Sequence, residues 1–192
     1  SIVDRINYDM LGQLPAMERV FKAEYDGNAM KVEFLKKNCV AQDELYLKIG
    51  AQVMMLKNTY QKDGIINGSI GVITGFSQKK QYPIVEFENG TIVTIAPDVW
   101  ETYSYNTTTN ELIIDATMIQ IPLRLAWSIT IHKSQGMTLD KVECDLKNTF
   151  SEGQAYVALS RARDLNGLYI KSFDINNIKA NKKVIEFYNE IK

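Results

Sequence analysis

The sequence predicts an α/β fold that carries an inserted small β-barrel, and three observations lead to this prediction. Strand-like and helical patterns alternate near both ends of the 192-residue chain. The run "LAWSITI" (125–131) is almost continuously apolar, which is typical of a parallel strand buried on both faces. Between the two α/β zones, "IGVITGF", "PIVEFE" and "TIVTIAP" alternate with period two, so they predict the short strands of a barrel.

The first zone predicts a helix and then strands. Apolar residues at helical spacing over 2–14 predict an amphipathic helix that ends before Pro15. We expect "ERVFKAEYD" (18–26) to form one strand, and 45–56 to be strand-like with a bend at Gly50. The run 31–35 has no decisive pattern.

Turn signals organise the middle zone. Asn89-Gly90 joins two of the alternating runs and predicts a hairpin with a type I′ turn, which needs positive φ at both central positions. The following "SYNTTTNEL" (104–112) shows no packing pattern, so we predict a polar loop there.

The last zone returns to α/β order. Ser151 and Gln154 have capping-box spacing, which predicts that a helix begins there. Asn166-Gly167 predicts a turn into the strand "LYIKSF" (168–173). Apolar residues at helical spacing over 184–191 predict a closing helix.

Composition limits the class of protein. With 45% hydrophobic side chains the chain can bury a core, and its net charge of −1 provides no overall basic field, so any nucleic-acid site must be local. Cys39 and Cys144 lack C-x-x-C spacing, which fits a reduced intracellular protein. No apolar run is long enough to span a bilayer. The sequence opens in mid-pattern, so we expect a piece of a longer chain.

The segment "HKSQG" (132–136) is the first candidate site. In α/β sheets ligands bind at the carboxyl ends of strands, and this polar segment follows a predicted strand. Lys133, the Ser134 hydroxyl and nearby amides could hold phosphate oxygens, and Gly136 would let the backbone approach closely. Taken alone, the pentapeptide fits a solvated strand-to-turn segment equally well.

The segment "GQAYVALSRAR" (153–163) is the second candidate site. A helix that begins apolar and ends in Ser-Arg-Ala-Arg could place a guanidinium against a bound phosphate, where it would stabilise charge during phosphoryl transfer. Two solvated arginines near a helix C-terminus would explain an isolated S-R-x-R as well.

In order and about twenty residues apart, the two segments resemble motifs V and VI of superfamily one, class B helicases, particularly the Pif family. The resemblance extends to "LKIGAQVMMLKN", "NGSIGVITGF", "YPIVEFENG" and "IQIPLRLAWSITIHKSQGMTLDKVECDL", which read in family order. RecD-like and relaxase-associated helicases share both motifs, but the long agreement around "QIPLRLAWSITIHKSQGMTLD" favours the Pif family.

The resemblance implies a domain organisation. Residues 1–57 and 118–192 would form the second RecA-like domain, 2A, a parallel sheet with helices on both faces. Residues 58–117 would form an inserted Src-homology-3-like barrel, domain 2B.

The resemblance also implies site residues. Arg161 matches the motif VI arginine that reaches the ATP γ-phosphate and is the implied catalytic residue, while the implied nucleotide-binding residues are Gln135, Gly136, Arg161 and Arg163. The implied DNA-binding residues are Asn67, Ser69, His132, Lys133 and Ser134. Gln154 and Tyr156 would support motif VI.

The nucleotide-binding loop of such helicases is missing from this sequence. No G-x-x-x-x-G-K-[ST] occurs, and no apolar strand precedes Asp43-Glu44 to make a Walker B motif. We therefore expect most ligands of ATP and Mg²⁺ to lie on the first RecA-like domain of the same polypeptide, and this chain to hold neither tightly.

The resulting prediction is the carboxy-terminal half of an ATP-dependent 5′-to-3′ DNA helicase that is inactive alone. Its partners would be single-stranded DNA, ATP and the first RecA-like domain, without a membrane. It would be intracellular, in the nucleus or mitochondrion of a eukaryote or in the cytoplasm for a bacterial or viral protein. The alternatives are a non-catalytic module that binds nucleic acid or protein, or the equivalent half of a RecD-like or relaxase-associated helicase. Phe76, Tyr82 and Phe87 alternate toward the predicted barrel core, which argues against a groove for proline-rich peptides.

Overall fold

The computed structural model describes residues 2–107 and 110–191, and these fall into two compact units that divide between Ser128 and Ile129. The helices of the described residues are α1 (Ile2–Gln13), α2 (Ala29–Asn38), α3 (Gln154–Leu159) and α4 (Lys182–Glu190). Their strands are β1 (Arg19–Lys22), β2 (Glu24–Gly27), β3 (Glu44–Leu47), β4 (Gln52–Met55), β5 (Ile70–Phe76), β6 (Pro83–Phe87), β7 (Ile92–Thr94), β8 (Asp98–Asn106), β9 (Glu111–Gln120), β10 (Leu123–Leu125), β11 (Val142–Leu146) and β12 (Leu168–Phe173).

The main core of the first unit lies on an antiparallel sheet with strand order β10-β4-β5-β6-β7. Fully buried apolar side chains from α1 and these strands fill it, among them Leu11, Val53, Ile73, Val85 and Leu123. The expected amphipathic helix is confirmed as α1, which contributes Leu11 to this core.

The predicted strand over 125–131 is wrong. Leu125 ends β10, which pairs antiparallel with β4, and the chain then leaves the sheet. The Asn7 side chain takes both backbone groups of Ser128: its Nδ2 donates to the Ser128 carbonyl, and its Oδ1 accepts from the Ser128 N–H, each at 2.9 Å. These groups are thus bonded to a helix side chain instead of a neighbouring strand, and "HKSQG" does not follow a parallel strand.

The predicted strand over 18–26 is two short strands. β1 pairs with β3 and β2 pairs with β9, so the chain changes sheets at Ala23. The undecided run 31–35 lies in α2, which begins after Asn28 because the Asn28 Oδ1 accepts from the Met30 N–H at 3.0 Å.

One buried amide, the side chain of Gln120, holds together the two ends of the segment between β1 and β3. Its side chain is 2% exposed, and its Nε2 donates to the carbonyl oxygens of Phe21 at 3.0 Å and Gln42 at 2.9 Å. Its Oε1 accepts from the Ile121 N–H at 2.7 Å. The start and end of the segment between β1 and β3 are therefore held at one point.

The Asn89-Gly90 hairpin is confirmed, but its turn is not type I′. Only Gly90 of the two has positive φ, at 81°. The Gly90 N–H donates to the Phe87 carbonyl at 2.8 Å, and the Phe87 N–H donates to the Thr91 carbonyl at 2.9 Å. This pattern belongs to a three-residue loop closed by a glycine in the left-handed region.

The predicted polar loop over 104–112 is also wrong, although its Thr108 and Thr109 lie outside the described residues. β8 continues to Asn106 and β9 begins at Glu111, so the two strands form a long hairpin. With β2 they form a sheet of order β2-β9-β8. Helix α2 packs on one face of this sheet, over a separate apolar cluster that includes Leu35, Met118 and Trp100.

The second unit contains the parallel pair β11 and β12 with α3 against β11. The predicted strand "LYIKSF" is confirmed as β12, and the closing helix is confirmed as α4.

The mixed α/β class is as predicted, but among the strands of the described residues only β11 and β12 pair in parallel, and the other pairs are antiparallel. The inserted barrel and the boundaries at 57/58 and 117/118 stay predictions, and the five-stranded sheet takes strands from both sides of each boundary. Across residues 2–107 and 110–191, no helix combines the length and apolar character needed to cross a membrane.

Candidate functional site

The segment "HKSQG" forms one tight turn in the second unit. His132–Ser134 is a single turn of 3-10 helix, and the Ser134 N–H donates to the carbonyl oxygen of Thr130 at 3.1 Å. The Thr130 hydroxyl accepts from the Lys133 N–H at 3.3 Å. Thr130 therefore begins the turn, and the three predicted DNA contacts are held next to one another.

These three residues differ in exposure. The side chains of His132 and Lys133 are exposed, so both are available to a ligand. Ser134 is only 4% exposed, and its hydroxyl donates to the Ile131 carbonyl at 2.7 Å. This placement favours a role for Ser134 in holding the turn.

An aromatic residue that the sequence did not single out lies beside the turn. The ring of Phe150 is 6.4 Å from the His132 ring, centroid to centroid, with an interplanar angle of 38°. Phe150 is 70% exposed, so its ring is accessible to a ligand. Together the two rings offer a surface on which a planar group could stack.

Gln135 and Gly136 complete the turn. The Gln135 side chain is exposed, and Gly136 has a φ of 76° with no neighbouring atom within 4 Å of the position a Cβ would occupy. The glycine is needed here for its left-handed conformation, and the empty space beside it leaves room for a ligand.

Three hydrogen bonds hold Arg161. Its Nε donates to the Val157 carbonyl at 2.9 Å, and its Nη2 donates to the Ser160 hydroxyl at 2.9 Å. Its Nη1 donates to the carbonyl of Met137 at 3.1 Å. Met137 directly follows "HKSQG", so the guanidinium joins the end of α3 to the first candidate segment.

The backbones of the two segments are joined as well. The Leu139 N–H donates to the Arg161 carbonyl at 2.8 Å, and the Arg163 N–H donates to the Leu139 carbonyl at 2.9 Å. The Arg163 Nη1 also lies 2.8 Å from a carboxylate oxygen of Asp140. Arg163 is thus paired with an acid that lies four residues after the turn at 132–136, although both side chains remain exposed.

Gln154 stabilises the start of α3. Its Oε1 accepts from the N–H groups of Phe150 at 3.0 Å and Ser151 at 3.1 Å. This bond is the glutamine half of the predicted capping box, but α3 begins at Gln154, after Gly153, and not at Ser151 as predicted. The same side chain also fixes the backbone that carries the Phe150 ring. Tyr156 is 76% exposed.

Asn67 and Ser69 lie in the first unit, in a loop before β5. The backbone N–H of Asn67 donates to the Asn58 Oδ1 at 2.8 Å. The Asn67 side chain takes no part in this bond and is exposed. The Ser69 Oγ accepts from the Ile66 N–H at 3.0 Å, so its hydroxyl already shapes the loop. Asn58 was not singled out from the sequence.

The donors of the second unit suit an anion better than a metal ion. The exposed cationic side chains of the second unit near these segments include Lys133 and Arg163, and such groups bind phosphate oxygens. Within residues 2–107 and 110–191, no group of three or more His, Cys, Asp or Glu side chains is placed to hold a metal. Ligands for Mg²⁺ therefore do not cluster in this part of the chain.

Known proteins match this chain over nearly its whole length. The sequence family described as "DNA helicase Pif1, 2B domain" matches residues 32–76. The ATP-dependent DNA helicase PIF1 of Xenopus laevis is 40% identical over 191 residues, which cover 99% of this chain and 29% of that protein. The chain therefore spans less than a third of that relative's length.

Solved structures agree with the sequence matches. Unliganded Pif1 from a Bacteroides species has a TM-score of 0.83 and 32% identity, over 98% of this chain and 42% of that one. The Bacteroides Pif1 complex with ADP-AlF3 and single-stranded DNA has a TM-score of 0.73 and 31% identity, over 99% of this chain and 42% of that one.

Proposed function

This chain belongs to the Pif1 family of DNA helicases, and from that membership we propose that it supplies the carboxy-terminal motor half of an ATP-dependent 5′-to-3′ DNA helicase. The observation that best supports the proposal is the hydrogen bond from Arg161 to the Met137 carbonyl, because it connects a phosphate-type arginine to the turn that carries His132 and Lys133.

The proposed role of Arg161 is to contact the γ-phosphate of ATP. A guanidinium offers several N–H donors in a rigid plane, so it can keep one bond to the protein while it turns another donor toward an anion. The nucleotide, bound with Mg²⁺ mainly by the first RecA-like domain, supplies the phosphoryl group whose transfer to water releases free energy. Arg161 would stabilise the negative charge that develops on that group.

The proposed coupling follows from the bonds between the two segments. When Arg161 turns toward a phosphate, the Met137 carbonyl loses its donor, and the turn at 132–136 is freed to shift. The backbone bonds of Leu139 with Arg161 and with Arg163 would keep the segments in register during that shift. The Arg163–Asp140 pair adds a second link.

The proposed DNA track combines few charges with stacking surfaces. Lys133 would contact phosphate, and the exposed rings of His132 and Phe150 would stack on bases. We keep Asn67 as a contact from the first unit, and we assign the Ser69 and Ser134 hydroxyls mainly to shaping their loops. A relative bound to single-stranded DNA and ADP-AlF3 supports both ligands as the proposed partners.

The wider assignment remains as the resemblance implies. Residues 1–57 and 118–192 would belong to the second RecA-like domain and 58–117 to the inserted barrel, with the first RecA-like domain of the same polypeptide as the partner across the nucleotide. The protein would act in a compartment of the cell that holds DNA.

A fluorescence-anisotropy titration of labelled oligo-dT and of a matched duplex, at several salt concentrations, tests the track. We expect weak binding with a preference for the single strand. The salt slope should correspond to about one to three phosphates, since few cations take part. Lys133→Ala should weaken binding and flatten the slope by about one unit, because it removes one phosphate contact.

The exposed Lys79, which lies in the loop between β5 and β6, offers a matched control. Lys79→Ala should leave the affinity and the slope unchanged. Equal affinity for duplex, or equal losses from Lys133→Ala and Lys79→Ala, would show that the track has been misplaced.

A further inference from the structure

The sheet β2-β9-β8 has one face covered and one face open. On the covered face, Trp100 and Met118 pack against the α2 cluster. Side chains of a strand alternate between faces. The residues next to Trp100 along β8 and next to Met118 along β9 therefore point to the opposite side, which we call the outer face. The hydrogen bond from the Tyr103 hydroxyl to the Glu101 carboxylate agrees, because the two residues are two positions apart on β8.

Apolar side chains are paired along the outer face. Residues directly opposite each other in the register of β8 and β9 point to the same side, and three such pairs are apolar: Val99 with Ile119, Tyr103 with Ile114, and Tyr105 with Leu112. Each of these side chains is at least 37% exposed, and Leu112 reaches 70%. Three apolar pairs on one open face, the last two of them adjacent, are more than the scattered apolar residues of an ordinary surface.

Every charged side chain of the three strands on this face is acidic. Glu101 lies on β8 between the first and second apolar pairs, and Glu24 and Asp26 lie on β2 beside them. Lys31 and Asp115 form an ion pair at 3.6 Å on the α2 side, so that lysine does not neutralise the outer face. An apolar surface with only carboxylates repels phosphates and attracts cationic side chains.

We propose that the outer face docks a basic amphipathic helix of a partner protein. Helix α2 already shows that this sheet accepts a helix on its other face. Val99 and Tyr105 are six residues apart, which is about 20 Å along a strand, and a helix of about 14 residues has that length. The partner's apolar stripe would lie on the three pairs, and its Lys or Arg residues would face the three carboxylates.

Two synthetic peptides test the chemistry with the 192-residue chain. One is a labelled helix of about 14 residues with Leu on one face and Lys on the other, and its twin carries Glu in place of Lys. We expect saturable binding of the Lys peptide, weaker binding at high salt, and no saturable binding of the Glu twin. Absence of binding by the Lys peptide, or equal binding of both, would overturn the proposal.

The hairpin provides a matched pair of variants. Y105S combined with L112S removes one apolar pair. It should lower the affinity for the Lys peptide about tenfold or more, because two large side chains are no longer buried in the contact. I113S removes a side chain of similar exposure whose cross-strand partner is Ser104, on the α2 side, so it should change affinity less than about twofold. Equal losses from both changes would contradict the assignment.

Further measurements test whether the variants remain folded, and whether a second copy of the chain or nucleic acid binds the outer face instead of a helix. Circular dichroism should give thermal midpoints for the variants close to that of the parent chain; if Y105S/L112S unfolds, E101K on the same face must weaken the Lys peptide instead. Hydrogen exchange should show peptide-dependent protection of 98–106 and 111–119. If the double change abolishes self-association in sedimentation, or removes oligo-dT binding, the face belongs to a second copy or to nucleic acid and the proposal fails.

Discussion

At Arg161, one guanidinium has to serve two different acceptors. In this structure its three nitrogen atoms donate one hydrogen bond each, to Val157, Met137 and Ser160. A guanidinium carries five N–H donors, so two remain for a phosphate without the loss of these bonds. Because phosphate is charged and the Met137 carbonyl is neutral, a bound phosphate would also compete for the donor that now faces Met137.

Replacing Arg161 in the complete helicase should separate catalysis from DNA binding. Arg161→Ala should lower kcat about a thousandfold, because the charge it stabilises develops mainly in the transition state. The kcat of Arg161→Lys should lie between those of the parent protein and Arg161→Ala, since an ammonium keeps the charge and loses the planar set of donors. Steady-state ATPase assays with saturating oligo-dT measure kcat, and anisotropy measures DNA affinity, which should change little.

The exposed Arg5 on α1 provides the control. Arg5→Ala should keep kcat near that of the parent protein. An unchanged kcat in Arg161→Ala would remove Arg161 from the catalytic role and direct attention to Arg163.

At the scale of elements, a partly buried cation, Lys57, joins the segment after β4 to the long hairpin. The Lys57 Nζ lies 3.0 Å from an Asp98 carboxylate oxygen and 4.5 Å from the centre of the Trp100 ring, and the Thr59 hydroxyl donates to the same carboxylate. Burial raises the pKa of Asp98, but hydrogen bonds from Thr59 and Lys57 outweigh it and hold the pKa below its ordinary value. The folded state therefore favours the charged carboxylate.

This pair predicts a pH dependence of stability. Because the folded-state pKa of Asp98 is lower than the unfolded one, its stabilising contribution is present above the unfolded value of about 3.9 and is lost as pH falls through the folded value. Urea unfolding followed by circular dichroism should show Asp98→Asn lowering the free energy of unfolding at pH 7 by on the order of 1 kcal/mol. The same change should flatten the loss of stability below about pH 4.

The exposed Asp63 offers a comparison for this measurement. Asp63→Asn should change neither the stability at pH 7 nor its slope in acid. Parallel acid curves for Asp98→Asn and the parent chain would refute the link between the ion pair and stability.

Elements with local signals were predictable from the sequence, and elements fixed by distant partners were not. The apolar spacing of α1 and the alternation of β5 and β6 lie within single segments, so both were predicted correctly. The end of β10 depends on Asn7, which is 121 residues from Ser128. The polar run at 104–112 forms strands because cross-strand pairing compensates for its weak local pattern.

The same distinction holds for the candidate site. Arg161 and the turn at 132–136 could be proposed from the sequence because their motifs are contiguous. Phe150 could not be proposed in this way, since it approaches a ring 18 positions earlier in the chain and no sequence pattern records that approach. Exposure of Ser134 and Ser69 could not be read from the sequence either, because each hydroxyl bonds a backbone group of its own loop.

At the scale of the whole molecule, the chain should not hydrolyse ATP alone. It has no Walker A loop, and its described residues contain no cluster for a metal ion, so neither the phosphates nor Mg²⁺ would be held for reaction. A coupled phosphate-release assay with oligo-dT should give the background rate for both the parent chain and Arg161→Ala. Turnover above background that Arg161→Ala abolishes would contradict the proposed division of the ATP site.

The hydrogen bonds of the Gln120 side chain also predict where the sequence of this protein can vary during evolution. The part of the chain from Ala23 to Gln42 contains β2 and α2, and its cluster is separate from the main core. The Gln120 amide and the pairing of β1 with β3 hold both its ends, so we expect insertions inside the segment to leave the five-stranded sheet undisturbed. We therefore expect the residues from Ala23 to Gln42 to vary among related proteins while the contacts at both ends of this segment are kept. Gln120 should be the position at which selection tolerates the least variation.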